Sequence, residues 1–430
     1  MSLQAGQAKI ENVLAALLER DLTFQGAKTN YATHHLHAFA AKFPPQLPRL
    51  FINALTQPGE IVLDPMAGSG TTLVEAMLAE RYGIGVDLDP LAVLLAKTKC
   101  TALPIFEAMQ VGRAVLQAAQ KNVQPLDDAQ LGKFYAPRAV AFFRYWFEAH
   151  TINELFALIR AIEQVNAPDM QTFLKVVFSA CIITKSGSLT FARDLAHSRP
   201  HRDLEKHITQ SAFDVFGERF MASLQTLECF AGRPSMSSIM RADSRQLPLP
   251  AESIHLIVTS PPYAANAIDY MRAHKFSLIW FGFEPKGLGT LRGQYIGAEI
   301  RPESLVIPSE TGAGIIHALQ QQAKSRAAVV AHYFREMESS LREMFRVLVK
   351  GRAAILVVGS SVIQGIDIKA PTVLAEMAGA VGFKVVGVAK REIVRDARMM
   401  PVSQQSARNG IEARMHEEGV IGLVKPPIEE

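Results

Sequence analysis

The sequence has 430 residues, room for two or three domains with a sizeable buried core, and its 49% hydrophobic and 20% charged content excludes a wholly disordered chain. Lys and Arg number 45 against 41 Asp and Glu, a net charge of +4 that permits a nucleic-acid partner through a local basic face without demanding one. The cysteines, Cys100, Cys181 and Cys229, make no CxxC pair, so neither a zinc cage nor a disulfide framework is expected, no metal is implied, and a reducing, cytoplasmic compartment is the natural setting.

Taken in chain order, the first twenty residues place Lys9, Glu11, Glu19 and Arg20 around a short apolar stretch, and no signal peptide is read there. Nowhere do 18 apolar residues run together, the nearest run being VVFSACIIT at 176–184, so no membrane span is expected. Short β-branched runs then alternate with longer amphipathic ones, the pattern of a parallel sheet covered by helices. Strands are expected at Ile61–Asp64, Ile84–Asp87, Ile239–Asp243, Ile254–Thr259, Ala353–Val358, Val385–Ala389 and Val420–Val424. The clearest helix is 327–349, with Val330, Phe334, Met337, Leu341 and Leu348 on one stripe and Gly351 expected to end it.

Two intervals break this rhythm. Residues 103–236 hold no convincing strand but several apolar helical runs, and read as a helical insertion. Residues 264–326 carry seven glycines and read as loop-rich. The expected organisation is therefore an N-terminal segment with the first half of an α/β domain (1–102), the insertion (103–236), and the second half (237–430). The fold class is α/β, a doubly wound, mostly parallel seven-stranded sheet with a helical insertion.

The stretch from Val62 to Thr72 passes from a strand through Asp64, Pro65, Gly68 and Gly70 into the helix that Thr71 and Thr72 begin. Glycines at 68 and 70 let backbone approach a ligand where a Cβ would collide. No Lys follows the last glycine, which excludes a Walker loop, and Leu73 holds the third glycine position of the dinucleotide fingerprint, so a different nucleoside ligand remains. Asp87 ends the second strand, where it can accept both ribose hydroxyls, and Asp243 ends the third, where it can accept an adenine amine; either could instead cap a helix.

The fourth strand ends in Thr259-Ser260-Pro261-Pro262-Tyr263. Two prolines remove two backbone donors, leaving carbonyls and the Ser260 hydroxyl as acceptors beside an aromatic ring. That set suits a planar base with an exocyclic amine: Tyr263 stacks on the ring while Ser260 and the Pro261 carbonyl take the amine hydrogens.

With these motifs the sequence resembles the amino-methylating DNA methyltransferases that use S-adenosylmethionine. DPMAGSGTT is similar to the family's cofactor motif, with Met66 where Phe is usual, and TSPPY resembles the form associated with N4-cytosine methylation. The segment His37 to Pro48, with Lys42 and Phe43, resembles the one that closes over the methionine end of the cofactor. The resemblance implies a seven-stranded sheet with its last strand antiparallel, double-stranded DNA as partner and a nucleoid-associated cytoplasmic protein. It also leaves room for a cognate restriction endonuclease. N6-adenine methylation, RNA amine methylation and a non-catalytic binding module stay as alternatives. Cytosine-C5 chemistry is disfavoured, because Lys99, Ala180 and Glu228 rather than prolines precede the cysteines. For DNA contact two regions compete: Arg272 and Lys275 after the catalytic turn, and Arg193, Arg199 and Arg202 in the insertion.

Overall fold

The run Ala353-Ala354-Ile355-Leu356-Val357-Val358 has no polar residue because both of its faces are covered. Ala353, Ile355 and Val357 point into one apolar cluster and Ala354, Leu356 and Val358 into another. The computed structural model describes residues 3–39, 42–184, 189–192, 210–264, 269–298, 305–393 and 417–427.

In chain order come α1 (Leu3–Leu18), α2 (Gln46–Leu55), β1 (Ile61–Asp64), α3 (Thr71–Leu78), β2 (Tyr82–Asp87) and α4 (Pro90–Lys99). Helices follow: α5 (Ile105–Asn122), α6 (Asp128–Leu131), α7 (Pro137–Trp146), α8 (Ala149–Glu163), α9 (Pro168–Ile182) and α10 (Ala212–Leu227). After β3 (Ser237–Arg241) and β4 (Ile254–Thr259) stand α11 (Tyr270–Leu278), α12 (Pro285–Arg292), α13 (Glu310–Gln322) and α14 (Lys324–Val347). The chain continues through β5 (Leu348–Gly359), a hairpin of β6 (Val362–Ile363) and β7 (Ile366–Asp367), α15 (Ala370–Val381), β8 (Lys384–Glu392) and β9 (Glu417–Val424).

The main sheet runs β3-β2-β1-β4-β5-β9-β8. The pairs from β3 to β5 are parallel, while β9 is antiparallel to both β5 and β8. This is the doubly wound α/β fold expected from the sequence, its strand order turning back between β1 and β4. Helices α13, α14 and α15 contribute to the apolar cluster on one face of β4, β5 and β9, and α1 and α2 to that on the other.

Two local expectations are corrected. The interval 264–326 holds three helices, α11, α12 and α13, with turns and loops at 279–284, 293–298 and 305–309 between them, so it carries more helix than its glycines suggest. Its glycines mislead because Gly287 and Gly289 lie on the open side of α12, while Leu288 and Leu291 bury the other side. Gly351 does not end α14, which stops at Val347; it lies inside β5 at φ +74°, beside a register shift against β4.

The helical insertion and the segment after the catalytic turn share one core. The Trp280 ring stacks on Phe143 at 3.9 Å, and the Tyr135 hydroxyl donates to the Trp280 carbonyl at 3.2 Å. Phe276 meets Phe142 and Trp146 edge-on at 4.9 and 5.0 Å. Trp280 is fully buried, so truncating it to Ala would cost about 3–5 kcal/mol. The two intervals that interrupt the βα rhythm are thus packed into a single body.

Candidate active site

At the turning point of the strand order, the carboxyl ends of β1 and β4 lie side by side and leave a crevice. The Thr259 hydroxyl donates to Asp64 Oδ1 at 2.7 Å, and the Thr72 hydroxyl donates to the Val258 carbonyl at 3.1 Å. These bonds fasten the strand ends and the start of α3 to one another. The turn after β1 holds Gly68 at φ +49° and Gly70 at φ +80°, a region where a side chain would strain. They do different work. Gly68 lines the crevice, and a Cβ there would come within 3.3 Å of the Phe39 ring. A Cβ on Gly70 would lie 3.0 Å from the Ala96 backbone, so this glycine packs the turn on α4 rather than admitting a ligand.

The crevice opens into a cavity of about 600 Å³, within the usual range for small-molecule sites. Its walls gather Lys42, Phe43, Asp64, Pro65, Thr71 and Asp87 from the cofactor motifs with Ser260, Pro261, Pro262 and Tyr263 from the catalytic turn. Residues up to 221 positions apart in sequence are therefore joined in one chamber. Asp87 accepts from the Gly68 N–H and the Asp89 N–H, both at 2.8 Å. Burial, with the negative Asp89 beside it, raises Asp87 to about 7, and burial raises Asp64 to about 6. Asp87 thus meets the cavity as an acceptor whose recorded partners are backbone amides, with lone pairs left for a ligand. A nucleoside with vicinal hydroxyls matches that donor demand, and the missing Cβ at Gly68 leaves it room. The residues present fit the cofactor that the motifs imply.

Asp243 is positioned differently from the expectation. Arg245 donates to both of its carboxylate oxygens, at 2.6 to 3.0 Å, and the cavity wall here is Ala242 and Ser244. Thr72 faces β4 rather than the cavity. Arg272 stands at the cavity wall, sharing Asp269 with Arg292 at 2.9 and 2.8 Å. Lys275 turns instead to the helical body, its ammonium 5.7 Å from the Phe142 ring centre, and burial lowers its pKa. Arg193, Arg199 and Arg202 lie outside the described residues.

Several site residues have no local signal in the sequence. Asp89 Oδ1 caps α4 by accepting from Leu91 and Ala92 N–H, and its Oδ2 binds His274 Nδ1 at 2.8 Å and the Tyr295 hydroxyl at 2.9 Å. Burial alone would raise the Asp89 pKa, but His274 and these hydrogen bonds outweigh it and the pKa is lowered. Phe39 stacks on Tyr270 at 4.9 Å, bringing the N-terminal segment against α11 over the glycine turn. Glu336 accepts from the Gly297 N–H at 2.9 Å, which fixes the 293–298 loop across the cavity.

Comparison with known proteins gives a consistent picture. A family model described as DNA methylase matches residues 9–98. The Type II methyltransferase M.MvaI of Kocuria varians is 23% identical over 381 residues, 83% of this chain and 83% of that protein. M.AvaI of Nostoc sp., also a Type II methyltransferase, is 24% identical over 364 residues, 76% of this chain and 73% of that one. M.MjaII of Methanocaldococcus jannaschii shares 31% identity over a shorter stretch of 126 residues, 29% of this chain and 24% of its own length.

Proposed function

Because the chain belongs to the amino-methylating DNA methyltransferase family, we propose that it moves a methyl group from S-adenosylmethionine to the exocyclic N4 amine of a cytosine flipped out of duplex DNA. The observation that carries this reading is the meeting of Ser260-Pro261-Pro262-Tyr263 with the Gly68 turn and Asp87 around one cavity. Ser260, where the adenine-directed form of the motif carries an acid or amide, supports cytosine as the base.

When bound, S-adenosylmethionine supplies a methyl group made labile by its sulfonium. Asp87 accepts the ribose hydroxyls, and Phe39, Lys42 and Phe43 stand at the same cavity near the glycine turn. On the other side, Tyr263 offers its ring to the extruded base. The Ser260 hydroxyl and the Pro261 carbonyl accept the two amine hydrogens, which turns the nitrogen lone pair out of conjugation and toward the methyl group. Catalysis then consists of alignment and placed acceptors, contributions that need no covalent enzyme intermediate.

For DNA contact, Arg272 and Arg292 at the cavity wall are the proposed grips near the target, and Arg193, Arg199 and Arg202 the phosphate-holding residues. Replacing the last three with Gln should weaken binding to all sequences alike and flatten the log–log salt dependence by about one unit per lost contact. The Type II designation of the relatives supports a restriction-modification setting with a cognate endonuclease. Incubation with methyl-labelled cofactor and mixed-sequence DNA, followed by mass spectrometry of the nucleosides, tests the base. N4-methylcytosine is expected; label found only in N6-methyladenine overturns the cytosine assignment, and label only in RNA overturns the DNA substrate.

A further inference from the structure

Three residues stand in one row across the sheet at the edge of the cavity. Gly359 in β5 pairs with Glu418 in β9, and Glu418 pairs with Arg391 in β8. Residues directly opposite one another in antiparallel strands project to the same face. Tyr263 lies along that row. A Cβ added to Gly359 would sit 2.7 Å from the Tyr263 ring, so the ring rests directly on the Gly359 backbone. Its hydroxyl donates to Glu418 Oε1, and Arg391 donates to Glu418 Oε2 at 2.5 Å. Arg391 is only 6% exposed and Glu418 9%, so this chain of charge-assisted bonds is sheltered from water.

We propose that Glu418, held by Arg391, is a positioning residue for methyl transfer: it anchors the Tyr263 hydroxyl and so sets the angle at which the Tyr263 ring meets the target base. The inference rests on the reading of Tyr263 as the stacking ring. A tyrosine on a turn can rotate about two side-chain torsions, and a stacking platform works only when its plane is set before the base arrives. Here the Gly359 backbone lies against the ring and Glu418 holds its hydroxyl, while Tyr263 also lines the cavity where the base would enter. The tyrosine hydroxyl acts as a tether and takes no part in the chemistry. The Glu418–Arg391 pair joins β9 to β8, and a purely structural ion pair of this kind would affect folding alone. The two roles separate in a double-mutant cycle.

Tyr263→Phe should keep the ring but release the tip. Methyl transfer should slow about 10- to 100-fold in kcat, while the dissociation constant for S-adenosylmethionine changes less than about twofold. Glu418→Ala should produce the same kcat loss, and Glu418→Gln, which keeps an acceptor for the hydroxyl, should recover much of it. Added to Tyr263→Phe, Glu418→Ala should slow kcat no further, although each substitution can still lower the melting temperature by its own amount. With 2-aminopurine at the target position, the fluorescence of the extruded base should rise in Tyr263→Phe as the stack loosens. If Glu418→Ala is folded and matches wild type in kcat, or if its loss multiplies with that of Tyr263→Phe, the positioning role is refuted. Wild-type activity on DNA is the internal control: its absence would overturn the proposed function itself, whereas active wild type with unaffected variants would overturn this inference alone.

Discussion

Two carboxylates near the start of the sheet are enclosed by protein and differ in their company. Glu75, on α3, has no exposed surface and takes the Tyr31 hydroxyl at 2.6 Å, His34 Nε2 at 2.7 Å and Arg49 Nε at 2.7 Å. Burial lowers the His34 pKa against the pull of Glu75, so a neutral ring donates its Nε2 hydrogen to the carboxylate. Asp87, at the end of β2, accepts from two backbone amides and otherwise faces the cavity. A carboxylate surrounded by its own donors is scaffold; one enclosed but left open toward a cavity, as Asp87 is, is the proposed binding group. Asp89, two residues on, combines both roles by capping α4 and holding His274 and Tyr295.

The contrast can be broken experimentally, beginning where the effect is largest. Glu75→Ala removes the shared acceptor of a phenol, an imidazole and a guanidinium, and should destabilise the fold by about 3–5 kcal/mol in urea unfolding. A loss below about 1 kcal/mol would reduce the cluster to the rank of a surface pair. Asp87→Ala should do the reverse. At pH 8, where Asp87 is ionised, two hydrogen bonds to a charged acceptor at about 1.5–3 kcal/mol each predict at least ~100-fold weaker cofactor binding in calorimetry, with the melting temperature nearly unchanged. Equal binding by wild type and variant would remove Asp87 from the site.

Asp89→Asn tests the mixed case. The amide oxygen can still cap α4, but the charge facing His274 and Tyr295 is gone, so cofactor affinity should fall about tenfold with a stability loss near 1 kcal/mol. A change in only one of the two would assign Asp89 wholly to one class.

The smallest effect is a pH dependence. Asp87 titrates near 7 in the fold and near 4 in an unfolded chain, so between those values the folded state holds a proton that the unfolded state has lost. Its contribution to stability is complete below about pH 4 and is lost as pH rises through 7. After allowance for water in the cavity, the cofactor-free protein should be on the order of 1–2 kcal/mol less stable at pH 8 than at pH 5 on this account. Asp87→Asn should lack that slope, which thermal unfolding across the pH range would reveal; an identical slope in the variant would refute the assignment.

The legible parts of the molecule are those whose physics is local. Alternation of apolar residues and turn chemistry mark β1, β4, the Gly68 turn and the Ser260-Pro261-Pro262-Tyr263 turn within a dozen residues each. The illegible parts depend on partners remote in sequence. His274 is 185 residues from Asp89 and Tyr295 is 206, and no periodicity or spacing announces such pairs. Asp243 shows another such partner: its place near a strand end suggests a ligand, and the structure adds that Arg245, two residues later, donates to the carboxylate. The helices of 270–322 were hidden by glycine content, since their burial comes from a few large residues such as Met271, Phe276 and Trp280 meeting the insertion.

The position of β9 has a consequence in time. Glu418 lies 155 residues after Tyr263, and β9 fits between β5 and β8 rather than at the sheet's margin. During synthesis the elements β1 to α4 leave the ribosome early, yet Tyr263 waits for Glu418. At roughly 5–20 residues per second, about eight to thirty seconds separate the emergence of the two. Until then β5 and β8 cannot be joined, and the ring has no partner for its hydroxyl. A nascent or prematurely ended chain can therefore display the Gly68 turn while Tyr263 still lacks the Glu418 acceptor and the central place of β9 stands empty.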